Sequence, residues 1–172
     1  MKTLEQQEKS IRRWVAFFIV ALVSSGLTAF ALETELNWLL TYWPLGRGSD
    51  LYIWVWKVYS ALTDTNKRYP FLAYGYDWLA FGHLVIALFF VGVFRRPVEN
   101  KWVLKTGMLA CLLVFPLAFI AGAVRGIPVY WRSIDCSFGV FGLVPLWLCY
   151  RKIGKLHSAV PQANIFVEGQ VL

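Results

Sequence analysis

The residue types that could carry chemistry are concentrated in one stretch, 125–139, which reads RGIPVYWRSIDCSFG and separates two apolar runs. It contains two cations, a carboxylate and an aromatic pair: Arg125, Arg132, Asp135, Tyr130 and Trp131. Arg132 and Asp135 are three residues apart, so they share one face if the segment is helical. Charged groups at a membrane boundary need partners, and Arg132 and Asp135 can pair with each other. Arg125, at the end of the third apolar run, is close in sequence.

Three interpretations of this stretch are open. In the first, Arg132 and Asp135 form a structural clasp that ties the third and fourth apolar segments together. In the second, Arg125 and Arg132 bind an anionic or polar headgroup, with Tyr130 and Trp131 as further contacts. In the third, Asp135 has a catalytic role. All three place the stretch at the outer edge of a membrane.

His83 is the one histidine expected at membrane depth. It follows Asp77 by six residues, which corresponds to about 9 Å along a helix. Polar residues at such depth are candidates for function, so His83 either transfers protons or contacts a ligand, or it bonds a neighbouring hydroxyl or carbonyl group. Haem ligation is disfavoured, because His157 is expected beyond the opposite end of the fourth span and no CxxCH motif is present. The sequence therefore predicts no cofactor.

Two further carboxylates, Glu33 and Asp77, flank apolar runs at the same outer face. With the residues above they predict one polar pocket under an aromatic lid. The predicted ligand contacts are Arg125, Arg132, Tyr130, Trp131, Asp77 and Glu33, and the predicted acid–base pair is His83 and Asp135. No metal is predicted, because one histidine at this depth and three cysteines without a CxxC spacing form no recognised metal site.

The elements that must position these residues are four apolar runs without Asp, Glu, Lys or Arg: 14–32, 78–94, 106–124 and 136–150. The chain is 58% hydrophobic and only 16% charged, against about 25% charged residues in soluble domains. The last run, at about 22 Å as a helix, is shorter than the hydrocarbon core, so its helix must begin near Tyr130.

These runs predict an all-α integral membrane protein in a single domain, 1–172. The predicted spans are about 14–33, 77–94, 106–125 and 131–150, with an outer loop 34–76 and a cytoplasmic tail 151–172. Small residues every four positions predict close helix packing. They form two stripes, Ala21, Ser25 and Ala29 in the first span and Ala118, Gly122 and Gly126 in the third.

The long outer loop is rich in aromatic residues, which favour the headgroup region of a bilayer. Ser49 and Asp50 are typical of a helix start. The residues that would form one apolar face of that helix are Leu51, Trp54, Val55, Val58 and Leu62. An interfacial helix is therefore predicted between spans 1 and 2. The alternative is a strand, because Tyr52, Trp54 and Trp56 alternate with period two.

The distribution of Lys and Arg predicts the orientation. The two tails and the middle turn hold 11 of the 17 basic residues, which favours a cytoplasmic location for both termini.

Nucleic-acid binding is not favoured despite the net charge of +7, because the basic residues flank the spans instead of forming a patch. Transport is not favoured either, because the middles of spans 1, 3 and 4 lack a charged residue for a coupling ion.

Two segments, RGIPVYWRSIDCSFGVFG and YPFLAYGYDWLAFGHLVIA, resemble uncharacterised bacterial four-span inner-membrane proteins of about this length. The resemblance covers roughly residues 69–150. It implies a membrane class and a location in the bacterial inner (plasma) membrane, and it implies no activity.

The sequence supports two hypotheses of function. The first is a non-catalytic membrane protein that binds a lipid-like ligand or a partner subunit through its outer polar cluster. The second is a small membrane enzyme that acts on a lipid or isoprenoid-type substrate, with His83 as acid or base. The expected partners are membrane lipids, and either a second copy of the chain or the other subunits of a membrane complex.

Overall fold

The computed structural model describes residues 4–42 and 46–159, and side chains over 5–42 and 46–154. These residues form six α-helices and one short 3-10 helix, with no strand among them. The helices are α1 (Leu4–Phe30), α2 (Leu32–Thr41), α3 (Asp50–Arg68), α4 (Tyr74–Arg95), α5 (Lys101–Val124) and α6 (Val129–Ala159), and the 3-10 helix is Pro70–Ala73.

Four segments are long and apolar enough to cross a membrane: Glu5–Phe30, Pro70–Arg95, Lys101–Val124 and Val129–Gly154. The all-helical class is thus confirmed for the described residues, and four of their helical segments are long and apolar enough to be the predicted spans. Helix α6, which contains the fourth candidate span, begins at Val129, as the shortness of its apolar run required. It also continues into the predicted cytoplasmic tail as far as Ala159, and the rest of that tail, 160–172, lies outside the described residues.

The described residues fall into two compact units. The terminal unit combines the chain up to Ile19 with the chain from Phe89 onward, and the central unit is Val20–Leu88. Helices α1 and α4 each contribute residues to both units. The candidate residues of stretch 125–139 belong to the terminal unit, whereas Glu33, Asp77 and His83 belong to the central one.

The terminal unit is built on a close antiparallel pair, α5 and α6. Its glycines allow the two backbones to approach: a Cβ added at Gly139 would lie 2.7 Å from the Cys111 carbonyl oxygen, and one at Gly142 would lie 2.9 Å from the Cys111 sulfur. The start of α1 packs on α6, where the Cys149 thiol lies 3.7 Å from the Ile11 carbonyl oxygen. The buried core of the unit includes Ile11, Val15, Val93, Leu104, Leu146, Cys149 and Ile153.

The central unit brings the end of α1 against the start of α4 at Gly26. A Cβ added there would lie 2.9 Å from the Ala80 carbonyl oxygen and 3.1 Å from the His83 Cβ. The small-residue stripe predicted on α1 is therefore misplaced, because Ala21 and Ser25 are exposed and the contact face runs through Gly26. A helix has 3.6 residues per turn, so an error of one position rotates the face by about 100°.

Helix α3 begins where the sequence predicted. The Ser49 side chain accepts a hydrogen bond from the Tyr52 backbone N–H at 3.2 Å, which caps the helix. Val55 is buried, and its neighbours on the predicted apolar face, Leu51, Trp54, Val58 and Leu62, are half-buried. The strand alternative for this segment is wrong. The preceding helix α2 was not predicted.

Candidate functional site

The turn between α5 and α6 positions the charged residues of the terminal unit. Gly126 has a positive φ of 67°, a conformation that favours glycine. The Ile127 N–H donates to the Gly122 carbonyl oxygen at 2.9 Å, and the Gly126 N–H donates to that of Ala123 at 3.1 Å. These two bonds form a Schellman motif that ends α5. Gly126 therefore serves this turn and does not belong to the small-residue stripe predicted on α5.

Arg132 holds this turn from the first part of α6. Its Nε donates a hydrogen bond of 2.7 Å to the Ile127 carbonyl oxygen. Its stem lies on Gly122, where an added Cβ would be 2.8 Å from the Arg132 Cδ. The arginine therefore satisfies a carbonyl of the turn and packs its methylenes in the space that Gly122 leaves open.

The predicted ion pair between Arg132 and Asp135 is absent. The Arg132 side chain points towards Ile127, which precedes it in the chain, whereas Asp135 follows it. Within residues 46–154, the Asp135 carboxylate has neither an ion-pair partner nor a hydrogen bond. The structural reason is that the turn leaves the Ile127 carbonyl without a helical partner, and the arginine satisfies that carbonyl.

Asp135 and Arg125 line one cavity on the α5–α6 pair. Its volume is about 270 Å³. Its other lining residues are Val114, Leu117, Ala118, Ala121, Gly122 and Ile127. We call this cavity the α5–α6 groove. The groove is apolar along α5 and carries one carboxylate and one guanidinium group, so it can hold an amphiphilic molecule.

Tyr130 and Trp131 lie in the first turn of α6 but do not line this groove. Tyr130 is exposed and Trp131 is half-buried. Arg125 is exposed at the C-terminal end of α5, where a cation interacts favourably with the helix dipole. Of the five predicted residues in this stretch, the structure therefore places Arg125 and Asp135 together at the groove and Arg132 beside it.

His83 is half-buried in the central unit. Its Nδ1 lies 2.8 Å from the carbonyl oxygen of Leu79, one turn earlier in α4. A carbonyl oxygen can only accept, so Nδ1 carries the hydrogen, and Nε2 is the acceptor in the neutral ring. The sequence left open that His83 bonds a neighbouring hydroxyl or carbonyl group without a functional role, and this contact fits that interpretation. The side chain of His157 lies outside the described residues.

Glu33 is the centre of a polar network in the central unit that the sequence did not reveal. Its carboxylate accepts hydrogen bonds from Asn66 Nδ2 at 2.7 Å and from Thr63 Oγ1 at 2.9 Å. The Tyr76 hydroxyl donates to Asn66 Oδ1 at 2.9 Å. The hydrogen bonds from Asn66 and Thr63 lower the pKa of Glu33. The network joins α2, α3 and α4. Glu33, which was predicted to contact a ligand, is therefore hydrogen-bonded to other side chains of the protein.

Asp77, the remaining candidate, lies half-buried in the first turn of α4. Its carboxylate has no hydrogen bond or ion pair within the part of the chain that the structure describes. The same part of the chain contains no group of three or more His, Cys, Asp or Glu side chains that could hold a metal ion.

Comparison with known proteins adds no family to these observations. No protein-family model matches the chain, and neither the curated proteins nor the solved structures yield a significant match.

Proposed function

We propose that this chain is a multi-pass membrane protein that binds a lipid-like amphiphile in the α5–α6 groove. Asp135 and Arg125 hold the headgroup in this proposal, and the apolar wall along α5 holds part of a hydrocarbon chain. Arg132 keeps the turn in place and does not contact the ligand. The proposal concerns binding and includes no catalytic step.

The observation that carries the proposal is the Asp135 carboxylate, which lies in a candidate span helix and has no partner among the side chains that the structure describes. Charges near the hydrocarbon region are costly unless they are paired. A cationic group of a ligand in the groove would supply the missing partner. The groove also exposes Arg125, which suits an anionic group. A headgroup with both charges, such as that of phosphatidylethanolamine, therefore matches the site best.

The groove is too small to enclose a whole lipid. Pockets that enclose a drug-sized molecule measure about 300–1,000 Å³, and this one measures about 270 Å³. It therefore accommodates one segment of a chain and leaves the rest of the lipid in the bilayer.

Location and orientation form part of the same proposal. We place the protein in a bacterial inner membrane with both termini in the cytoplasm, which follows from the excess of Lys and Arg near the two ends and in the α4–α5 turn. Helix α3 then lies at the outer interface. Its exposed Trp56 and Ile53, and the exposed Trp38 of α2, are suited to the headgroup region.

The alternative function, a membrane enzyme with His83 as acid or base, has weaker support. The fixed Nδ1 hydrogen leaves Nε2 as an acceptor, which is what a general base requires. However, among the described residues the polar contact of His83 is a carbonyl of its own helix, and no carboxylate of the described central unit bonds its ring. A catalytic histidine is commonly oriented by a carboxylate, so we favour binding over catalysis.

The first experiment is native mass spectrometry of the gently extracted protein, combined with lipid analysis of what stays bound. We expect one dominant zwitterionic lipid that is retained by the parent and lost in Asp135→Asn. The control is Asp64→Asn, which removes an exposed carboxylate that pairs with Arg68 in the central unit, and which should retain the lipid.

The competing outcomes are distinct. Bulk lipid in proportion to the membrane, unchanged in Asp135→Asn, contradicts a binding groove. A stable second protein that dissociates in Asp135→Asn replaces the lipid with a partner subunit. Loss of a bound molecule in His83→Ala, with the groove variant unaffected, moves the site to the central unit and favours the enzyme hypothesis.

A further inference from the structure

The terminal unit carries a second polar feature at its other end, where α5 begins and the fourth span ends. Two lysines one turn apart on α5 approach the same aromatic ring of α6. The Nζ atom of Lys101 lies 4.5 Å from the centre of the Tyr150 ring, and that of Lys105 lies 5.9 Å from it. On the next residue of α6, the Arg151 guanidinium lies 4.7 Å from the Trp147 ring. We call these five residues the basic–aromatic surface.

No carboxylate among the described side chains neutralises this surface. Within the described residues, Lys101, Lys105 and Arg151 form no ion pair, and the first turn of α5 contains no acidic residue. The nearby acidic residue in sequence, Glu99, pairs with Arg96 instead at 3.3 Å. Like charges at positions i and i+4 of a helix repel each other. The two lysines therefore share one aromatic ring and have no anionic partner within the part of the chain that the structure describes.

The surface also lies at a membrane boundary. Lys101 is the first residue of the third candidate span, and Tyr150 and Arg151 lie within a few residues of Gly154, the last residue of the fourth. Basic and aromatic residues at such a position are at the depth of lipid headgroups. Each Lys or Arg near a bilayer surface contributes about 1 kcal/mol to the attraction of an anionic lipid, which corresponds to about fivefold in affinity.

We propose that the basic–aromatic surface binds the phosphate of an anionic phospholipid, with Lys101 and Lys105 as its two ligands. The Tyr150 ring pre-orients both ammonium groups, and Arg151 adds to the positive field. This site is separate from the α5–α6 groove and does not depend on what occupies the groove. It selects lipids by net negative charge, whereas the groove selects a headgroup with both charges.

The test uses the full chain with the groove variant Asp135→Asn, so that lipid held by the α5–α6 groove is not counted. The protein is kept in a neutral detergent and titrated with dioleoylphosphatidylglycerol or dioleoylphosphatidylcholine, and bound lipid is counted by native mass spectrometry. The two lipids share their acyl chains, so a difference in binding reports headgroup charge. We expect preferential binding of phosphatidylglycerol. In Lys101→Gln with Lys105→Gln, that binding should weaken by about 25-fold.

The matched control is Arg47→Gln with Lys57→Gln, which removes the same charge from the central unit and also a lysine over an aromatic ring, Trp54. This control should bind phosphatidylglycerol like the parent. Equal weakening in both double variants would show that only net charge matters and would overturn the site. Equal binding of the two lipids would also overturn it.

A competition experiment distinguishes an anionic lipid from free phosphate as the ligand of the basic–aromatic surface. Sodium phosphate at the concentration of the lipid should neither bind nor displace phosphatidylglycerol, because it lacks the acyl chains that hold the lipid in the detergent micelle against the apolar span helices. Effective competition by inorganic phosphate would overturn the lipid as occupant. Circular dichroism of both double variants checks that their helix content equals that of the parent.

Discussion

At the scale of single residues, Gly122 and Arg132 act as one contact. A Cβ at position 122 would lie 2.8 Å from the Arg132 Cδ, so Gly122→Ala should displace the arginine from the Ile127 carbonyl. We expect a loss of about 1–3 kcal/mol in the free energy of unfolding. Arg132→Ala should cost a similar amount, because it leaves that carbonyl unsatisfied.

The double variant tests whether these two effects are one. If Arg132 is already absent, Gly122→Ala meets no side chain and should add little further loss. Denaturant unfolding of the parent, both single variants and the double variant in one detergent gives the coupling energy. Strict additivity of the two losses would contradict the contact.

A second prediction at this scale concerns Glu33. Hydrogen bonds from Asn66 and Thr63 lower its pKa in the folded state, so the folded state binds this proton less readily than the unfolded state does. The resulting stabilisation is present above the unfolded pKa, about 4.3 for a glutamate, and is lost as the pH falls through the folded pKa.

Glu33→Gln should therefore be less stable than the parent at neutral pH, by about 1 kcal/mol, and the difference should shrink below about pH 4.3. The measurement is the free energy of unfolding of both proteins as a function of pH. Glu35→Gln, in the same helix but exposed, is the control and should follow the parent. A difference that is independent of pH would rule out a charged acceptor.

At the scale of elements, the α5–α6 pair depends on backbone approach. A Cβ at Gly139 would lie 2.7 Å from the Cys111 carbonyl oxygen, and a helix backbone cannot give way as a flexible side chain can. We expect Gly139→Ala to force the helices apart and to lower the unfolding temperature. Gly82→Ala is the control, because no atom lies within 4 Å of its added Cβ. Equal unfolding temperatures in the two variants would contradict close packing.

The N-cap of helix α3 can be tested by substitution of Ser49. Ser49→Ala removes the bond to the Tyr52 N–H and should cost about 1 kcal/mol of unfolding free energy. Ser49→Asp restores a capping oxygen and should recover most of that loss. The comparison of the three proteins by thermal unfolding checks the cap, and equal losses in the Ala and Asp variants would refute it.

These elements also indicate what a sequence can predict. The Ser49 cap and the start of α6 near Val129 were predictable, because capping chemistry and span length act over a few neighbouring residues. The network around Glu33 was not, because its partners Thr63 and Asn66 lie some thirty residues away in sequence and on a helix whose register relative to α2 is set by tertiary packing.

The residues of the α5–α6 groove were also predictable only in part. The charged stretch 125–139 was identified from residue types alone, and two of its members do share a cavity. The pairing of Arg132 was predicted wrongly, because the Schellman turn creates a carbonyl acceptor that has no signature in side-chain spacing. Gly126 in the sequence was compatible both with a packing stripe and with a turn, and only the backbone conformation separates the two.

At the scale of the whole molecule, the number of spans determines which side each terminus faces. If all four candidate helices cross the bilayer, positions 5 and 154 lie on the same side, and the orientation that we propose from the positive-inside rule makes that side cytoplasmic. The turn between α2 and α3 then faces the opposite side. Two exposed positions report the two sides, Glu5 at the start of α1 and Arg47 in that turn.

We expect a membrane-impermeant maleimide added to intact bacterial cells to label Arg47→Cys and to leave Glu5→Cys unlabelled until the cells are permeabilised. The parent, with its three native cysteines, gives the background. Of these, Cys136 and Cys149 are buried and Cys111 is half-buried. Labelling of Glu5→Cys alone would invert the topology and place the basic–aromatic surface in the outer leaflet. Labelling of both in intact cells would contradict the first span, because a single crossing by α1 places position 5 and the α2–α3 turn on opposite sides.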